Sequence, residues 1–309
     1  MKPLYIYFLA ASLACTSCSD SWLDLNPSTS VPTDQAFSSL EDAQSALNGI
    51  YRLASAHSYY GDNFFYFGDC RAADVQARMT KGDGRRVSPY YEYNVKATDS
   101  FNSSLPWNQV YKVIRQTNNL IAATESGLIK TTDEAALNEI KAQALAMRGL
   151  ALYDLIRVFA MPYSYDNGQS LGVPIVTTAT DQSSKPARNT VAECYDQIIT
   201  DLTNSLAGLS KEKKDGCLNY WAVQGILSRV YLNKLDYPNA YKAATDVIEN
   251  SKSLYQLYTL DEYPTVWGKE YTSESLFEFY FSLTEKELLW SMPMRKKWTG
   301  TIGYCRKTT

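Results

Sequence analysis

Apolar residues return at helical spacing over most of the chain. Ser38 or Ser39 is placed to cap a helix whose apolar positions are Ala43, Ala46, Leu47, Ile50, Tyr51 and Ala54, the three-and-four spacing of one helical face. The pattern resumes at Trp107, with Val110, Ile114, Thr117 and Ile121 sharing a face. It is clearest in Ile140, Ala144, Met147, Ala151, Leu155 and Val158, a helix that Pro162 closes because proline cannot continue the backbone ladder. Thr190-Val-Ala-Glu193 reads as a capping box. It opens a helix striped by Val191, Cys194, Ile198, Leu202 and Leu206. After a polar break at 211–216, two further helices are expected, Tyr220 to Lys234 and Tyr237 to Ser251.

That last pair carries Leu227, Ser228, Tyr231, Ala240, Ala244 and Val247, the spacing of a tetratricopeptide-like hairpin, a unit of about 34 residues. Small residues let the two helices approach, and the tyrosine fills the groove between them. The 140–158 and 191–209 helices are suited to a second hairpin with an enlarged connection; generic helix packing is the alternative. The fold class predicted is all-α, with tetratricopeptide-like helical repeats and long irregular loops. Those loops are expected between 56 and 106, where periodicity disappears. SYYGDNFFYFGD (58–69), KGDG (81–84) and SPYYEY (88–93) are rich in Gly, Asp and Tyr, and long loops of this kind often carry function.

The first residues read as an address. A positive start precedes the apolar run from Leu4 to Ala14, the length of a signal-peptide core and too short to span a bilayer permanently. Cys15-Thr-Ser-Cys18 follows, then polar and acidic sequence. A cysteine after small residues at this point predicts a bacterial lipoprotein cleavage site with an acylated cysteine. Cys18 is the first choice and Cys15 the alternative. Residues 1–17 are then signal peptide and 18–33 a proline-bearing tether.

Composition narrows the chemistry. With 309 residues the chain holds about one or two domains, and a net charge of −3 excludes a generally basic nucleic-acid-binding surface. His57 is the single histidine, so a multi-histidine metal site is impossible and any histidine-based triad would have to use it. Cys70, Cys194, Cys217 and Cys305 are widely spaced; Cys194, on an apolar face, reads as a buried free thiol. Gly61-Asp-Asn and Gly82-Asp-Gly lack the ligand spacing of a calcium loop. No metal or cofactor is expected. Carboxylates are plentiful, so composition leaves a helical glycosidase open, yet no pair is singled out by spacing as such an enzyme would need.

The 24 tyrosines exceed what a core of this size uses and suggest a surface that stacks on a ligand. Sugars present C–H faces to aromatic rings and hydroxyls to short polar groups, the mixture found at 58–94. The foremost candidates are Tyr90, Tyr91 and Tyr93, with Arg78 and Asp83 as polar partners; Tyr59, Tyr60 and Tyr66 come next. If 90–93 is extended, Tyr91 faces away from its neighbours. Packing of the loop, or contact with a partner protein, is the competing use. Trp107, Arg148 and Arg157 read as structural, with Asp154 placed to pair with Arg157 three residues on.

Several motifs together resemble a family. Cys18-Ser-Asp-Ser-Trp-Leu-Asp-Leu-Asn-Pro27, Asp42-Ala-Gln-Ser-Ala-Leu-Asn-Gly-Ile-Tyr51 and Trp107-Asn-Gln-Val-Tyr111 with Asn118-Asn119 are similar to SusD/RagB outer-membrane lipoproteins. So are Lys141-Ala-Gln-Ala-Leu-Ala-Met-Arg-Gly-Leu-Ala-Leu-Tyr-Asp-Leu-Ile-Arg157, Gly172-Val-Pro-Ile-Val176, Arg188-Asn-Thr-Val191, the Tyr231 hairpin and Ser273-Glu-Ser-Leu-Phe-Glu278. The resemblance implies a helical-repeat protein tethered by lipid to the outer membrane. Such a protein captures glycans or other nutrients without catalysis and hands them to a SusC-like TonB-dependent transporter. A repeat scaffold that binds only protein is the alternative. On this reading, 34–250 is the repeat domain and 251–282 begins the family's C-terminal region. The resemblance fades after Ser282, and 283–309 sets Lys286, Arg295, Lys296, Lys297, Arg306 and Lys307 against Glu285 and Glu287. Members of the family usually run longer, so a truncated or frame-shifted end is expected; a basic tail gripping an acidic partner is the other reading.

Overall fold

The computed structural model describes residues 37–61, 63–72, 88–94, 106–178 and 184–280. Cys15, Cys18, the 18–33 tether, Arg78, Asp83, Cys305 and the 283–309 tail lie outside the described residues. The helices are α1 (Leu40–Ala54), α2 (Asn63–Arg71), α3 (Ser88–Tyr91), α4 (Trp107–Glu125), α5 (Glu134–Phe159), α6 (Val191–Leu206), α7 (Tyr220–Asn233) and α8 (Tyr237–Asn250). Among the described residues, strand pairing is confined to isolated bridges, Ser39 with Lys130 and Leu171 with Thr190. The all-α expectation holds.

Helix starts follow local chemistry. The Ser39 hydroxyl accepts from the Asp42 amide while the Asp42 carboxylate accepts from the Ser39 amide, and Thr190 and Glu193 repeat the exchange at α6. Each box satisfies amide groups that the helix itself leaves without acceptors. Hydrogen bonds from Ser38 hold the Asp42 carboxyl below its usual range, and the Thr190 amide does the same for Glu193. Asp133, Asn219 and Asp236 cap α5, α7 and α8. The Asp133 cap starts α5 at Glu134, a turn and a half ahead of the apolar pattern that begins at Ile140.

Successive helices pack in series: α4 on α5, α5 on α6, α6 on α7 and α7 on α8, with α1 lying across α4 and α5. At the centre, α5 is buried on all sides from Ala142 to Ile156 apart from Leu145, so the stripe read from sequence is only part of its contact surface. Gly149 permits the close approach of α6, since a Cβ there would stand 2.9 Å from Leu202 Cγ. In α8 the buried positions are Ala240 and Ala243. Ala244 and Val247, expected in the seam, are half-buried, while Tyr231 packs against the core as anticipated.

Two sequence expectations are corrected. Residues 56–106 contain a tight turn at His57–Gly61, the helix α2 and the helical turn α3 rather than loop alone. Tyr59, Tyr60, Phe64 and Phe65 touch one another on several sides, which removes the one-sided stripe that marks a surface helix. Tyr90 and Tyr91 lie in α3, so they do not alternate as an extended segment would.

A buried ion pair joins α5 to α6. Arg148 Nε and Nη2 donate to the Asp201 carboxylate at 2.8 and 2.6 Å, and Nη1 donates to Asn118 Oδ1 at 2.9 Å and the Thr177 carbonyl at 3.1 Å. Asn118 Nδ2 in turn donates to the Val176 and Thr178 carbonyls. Arg188 holds the same connection from its other side, donating to the Gly172 carbonyl at 2.6 Å and the Leu171 carbonyl at 2.8 Å. Arg148 is thus structural, as expected.

These contacts predict two stability effects, measurable by chemical denaturation. Leu155→Ala removes a side chain that is 1% exposed and should cost about 2–5 kcal/mol; a loss below about 1 kcal/mol would place Leu155 outside the core. Arg148→Met strands the Asp201 carboxylate and should cost about 3–5 kcal/mol, with much of it recovered in Arg148→Met/Asp201→Leu. No recovery in the double variant would refute the account of a stranded charge.

Candidate functional site

The turn after α1 brings two phenols to one carboxylate. The Tyr59 and Gly61 amides both donate to the Ala56 carbonyl at 2.9 Å, and Tyr59 takes φ −131° and ψ −115°. From this bend Tyr59 Oη donates to Asp154 Oδ2 at 2.5 Å and Tyr60 Oη at 2.6 Å, while Arg157 donates to Oδ1. The expected Asp154–Arg157 pair is therefore present, with Asp154 only 1% exposed. Burial, then the Asp154 charge, pushes both phenols well above their ordinary range, so they act as proton donors. Burial alone would lower the Arg157 guanidinium; Asp154 outweighs it and raises the group. Arg157 also lies 4.7 Å from the Tyr153 ring and 5.3 Å from the Phe64 ring.

Beside this cluster runs an open groove of about 650 Å³, walled by Tyr60, Phe65, Phe67, Asp69, Arg71, Tyr93, Arg157 and Arg229. A narrower hollow of about 430 Å³ shares Tyr60, Phe65 and Arg229 and reaches Leu150, Phe277 and Phe279. Tyr93 ends α3 through a 3.2 Å bond from its amide to the Tyr90 carbonyl. It takes φ +54°, a conformation that is costly for an aromatic residue. Its ring is 68% exposed, and its hydroxyl donates to the Arg71 carbonyl. The Arg71 guanidinium stands 4.7 Å from the Phe67 ring centre and 6.0 Å from that of Tyr93. Tyr90 is 5% exposed and meets Phe67 edge-on at 5.6 Å; Tyr91 is half-buried.

Of the sequence candidates, Tyr93 and Tyr60 line the groove, whereas Tyr90 and Tyr59 are buried outside its lining. Arg78 and Asp83 are outside the described residues. Phe65, Phe67, Arg71 and Arg229 were missed. One signal was available: Phe67 and Arg71 are four residues apart, the spacing that sets a guanidinium over a ring on one helical face. Cys194 is a buried free thiol as expected, its Sγ 3.4 Å from the Val173 carbonyl, and burial pushes it up. Among the described residues no group of three or more His, Cys, Asp or Glu could hold a metal ion.

Residues 21–232 match the SusD-like family described as starch-binding and associating with the outer membrane. A SusD-like protein of Bacteroides ovatus is 26% identical over 81% of this chain and 45% of its own length. SusD-like protein P2 of Formosa agariphila is 30% identical over 81% of this chain and 47% of its own. The chain thus spans about half the length of these relatives. A SusD superfamily crystal structure from Bacteroides thetaiotaomicron is 63% identical, with a TM-score of 0.77 over 80% of this chain and 54% of that one. A laminarin-binding SusD-like protein shares the fold at 20% identity and a TM-score of 0.64, over 78% of this chain and 51% of that one. No described helix is long and apolar enough to cross a membrane. By the family match, the sequence relatives and the shared helical architecture, the chain belongs to the SusD-like (SusD/RagB) family.

Proposed function

We propose that the protein captures glycans at the outer membrane, without cleaving them, and delivers them to a SusC-like TonB-dependent transporter. The observation that carries this reading is Tyr93, an exposed ring held out by a left-handed backbone on the wall of an arginine-bearing groove. Tyr93 and Phe65 supply stacking faces, Tyr91 flanks them, and Tyr90 braces α2. Arg78 and Asp83 are proposed as polar partners from the adjoining sequence. Family membership supports carbohydrate as the ligand class. The lipid anchor is assigned to Cys18, with Cys15 as the alternative. A scaffold role draws its support from α8, where Tyr237, Tyr241 and Ile248 are 59%, 74% and 68% exposed.

Retardation of the detergent-solubilised full chain in gels containing laminarin or starch tests the binding reading. Retention without sugar release is expected; release would indicate an enzyme, and absence of retention would favour the scaffold. Tyr93→Ala should weaken retention about 2- to 10-fold, the loss of one stacking contact, with a melting temperature near wild type. Tyr90→Ala should instead lower the melting temperature, because its ring is buried. Undiminished retention in Tyr93→Ala would remove Tyr93 from the site.

Fractionation tests the anchor. Cys18→Ala should move the protein from the membrane to the soluble fraction, since each buried CH₂ of an acyl chain contributes about 0.8 kcal/mol to insertion. Release by Cys15→Ala alone would transfer the anchor to Cys15.

A further inference from the structure

Resting on the glycan-binding reading of the same groove, we propose that its ligand is an anionic glycan, one bearing carboxylate or sulfate groups, gripped by Arg71 and Arg229. Three guanidinium groups, Arg71, Arg157 and Arg229, wall the groove against one carboxylate there, Asp69, while Glu274 and Glu278 line the adjoining hollow that Arg229 shares. Arg157 is already matched by Asp154 beneath it. Arg71 and Arg229 are exposed, and among the described residues no carboxylate forms an ion pair with either.

The two arginines differ from ordinary surface cations in their setting. Arg71 is stacked over Phe67 and faces Tyr93, so its planar fork is pre-oriented and loses little freedom on binding. Its aromatic neighbours compete poorly with an oxyanion, which can accept two parallel N–H bonds from one guanidinium. Tyr93 and Phe65, 68% and 42% exposed, offer rings beside these cations. A ring to stack on and a fork for its substituent is the pairing that an acidic sugar fits and a neutral one leaves half-used. The net charge of −3 makes the chain as a whole repel polyanions, so any such binding must arise from a local cluster.

Affinity gels with the full chain in mild detergent distinguish the cases. The probes are polygalacturonate (carboxylate only), carrageenan (sulfate only), and neutral laminarin and dextran. At least one acidic probe should be held about tenfold more tightly than either neutral one, and the preference should fall as NaCl is raised. Arg71→Gln and Arg229→Gln should each weaken acidic-probe retention about tenfold, with little change for neutral probes. Arg71→Lys should restore part of the loss, and Lys242→Gln on α8 should leave retention unchanged; melting temperatures verify folding. Retention of polygalacturonate alone identifies carboxylate, and of carrageenan alone, sulfate. Equal retention of neutral and acidic probes overturns the charge assignment while leaving glycan binding intact. Acidic-probe retention that survives both glutamine variants, or falls equally in Lys242→Gln, overturns the site. Retention of no glycan at all overturns the glycan reading itself.

Discussion

The central helix has almost no solvent-facing side between Ala142 and Ile156, yet it carries Gln143, Arg148 and Asp154 there, at 5%, 7% and 1% exposure. Each buried polar group must find a partner, because an unpaired one costs more than most packing contacts return. The partners come from different parts of the chain. Gln143 accepts from Tyr51 of α1 at 2.8 Å, and Tyr51 accepts the Leu218 amide at 3.0 Å. Arg148 binds Asp201 of α6, Asn118 of α4 and the Thr177 carbonyl. Asp154 collects Tyr59, Tyr60 and Arg157. Apolar packing alone would let these elements slide along α5; the polar partners fix where each one docks.

The constraint extends from the core to the groove through Asp154. Tyr60 and Arg157 both contribute to the groove wall and both bond this carboxylate. Their positions are therefore set from beneath, on the most deeply buried helix. Tyr60 also meets Phe279 at 4.7 Å, and Phe277 and Phe279 meet Tyr51 at 6.1 and 6.5 Å. The 277–279 segment, far along the chain, thereby packs on the same tyrosines that bond the buried polar groups of α5. A preorganised wall of this kind loses less freedom when a ligand arrives than a wall of independent side chains does.

What was legible in the sequence follows the same physics. Helices buried on one face write their period plainly: Val191, Cys194, Ile198 and Leu202 mark α6, and Thr190 with Glu193 marks its start. For α5 the stripe was legible but its central place was only half visible, because a helix buried all round adds apolar residues to every face. The 57–71 stretch was illegible for a related reason. Tyr59, Tyr60 and Phe64 pack against each other, and the two tyrosines bond Asp154, so neither a helical nor an alternating pattern survives. Tyr90, Tyr91 and Tyr93 share a composition, and composition could not separate the buried ring from the exposed one. That distinction arises from the α3 turn and the left-handed backbone at Tyr93. Arg229 sits on α7, far from the tyrosine cluster in sequence, so only the fold brings it to the groove.

The groove also shows where a helical-repeat protein can bear local cost. A left-handed aromatic such as Tyr93 is disfavoured by about 1–3 kcal/mol, and ring surface left in water forgoes burial that a core position would provide. Neither is needed to stack α4 through α8, which interlock through their own side chains and caps. Asn167, Leu235 and Tyr271 take positive φ elsewhere in the fold; at the groove the cost is restrained by a few specific contacts. These are the Tyr93 hydroxyl on the Arg71 carbonyl, Phe67 against Tyr90, and Arg71 over Phe67. Separating a rigid polar-locked core from a strained aromatic rim lets the rim's residues change while the fold is held from the other side of Asp154. On the proposed glycan reading, a ligand's ring and substituents would meet Phe65, Arg71, Arg229 and Tyr93, whereas Tyr59 and Asp154 belong to the frame that presents them.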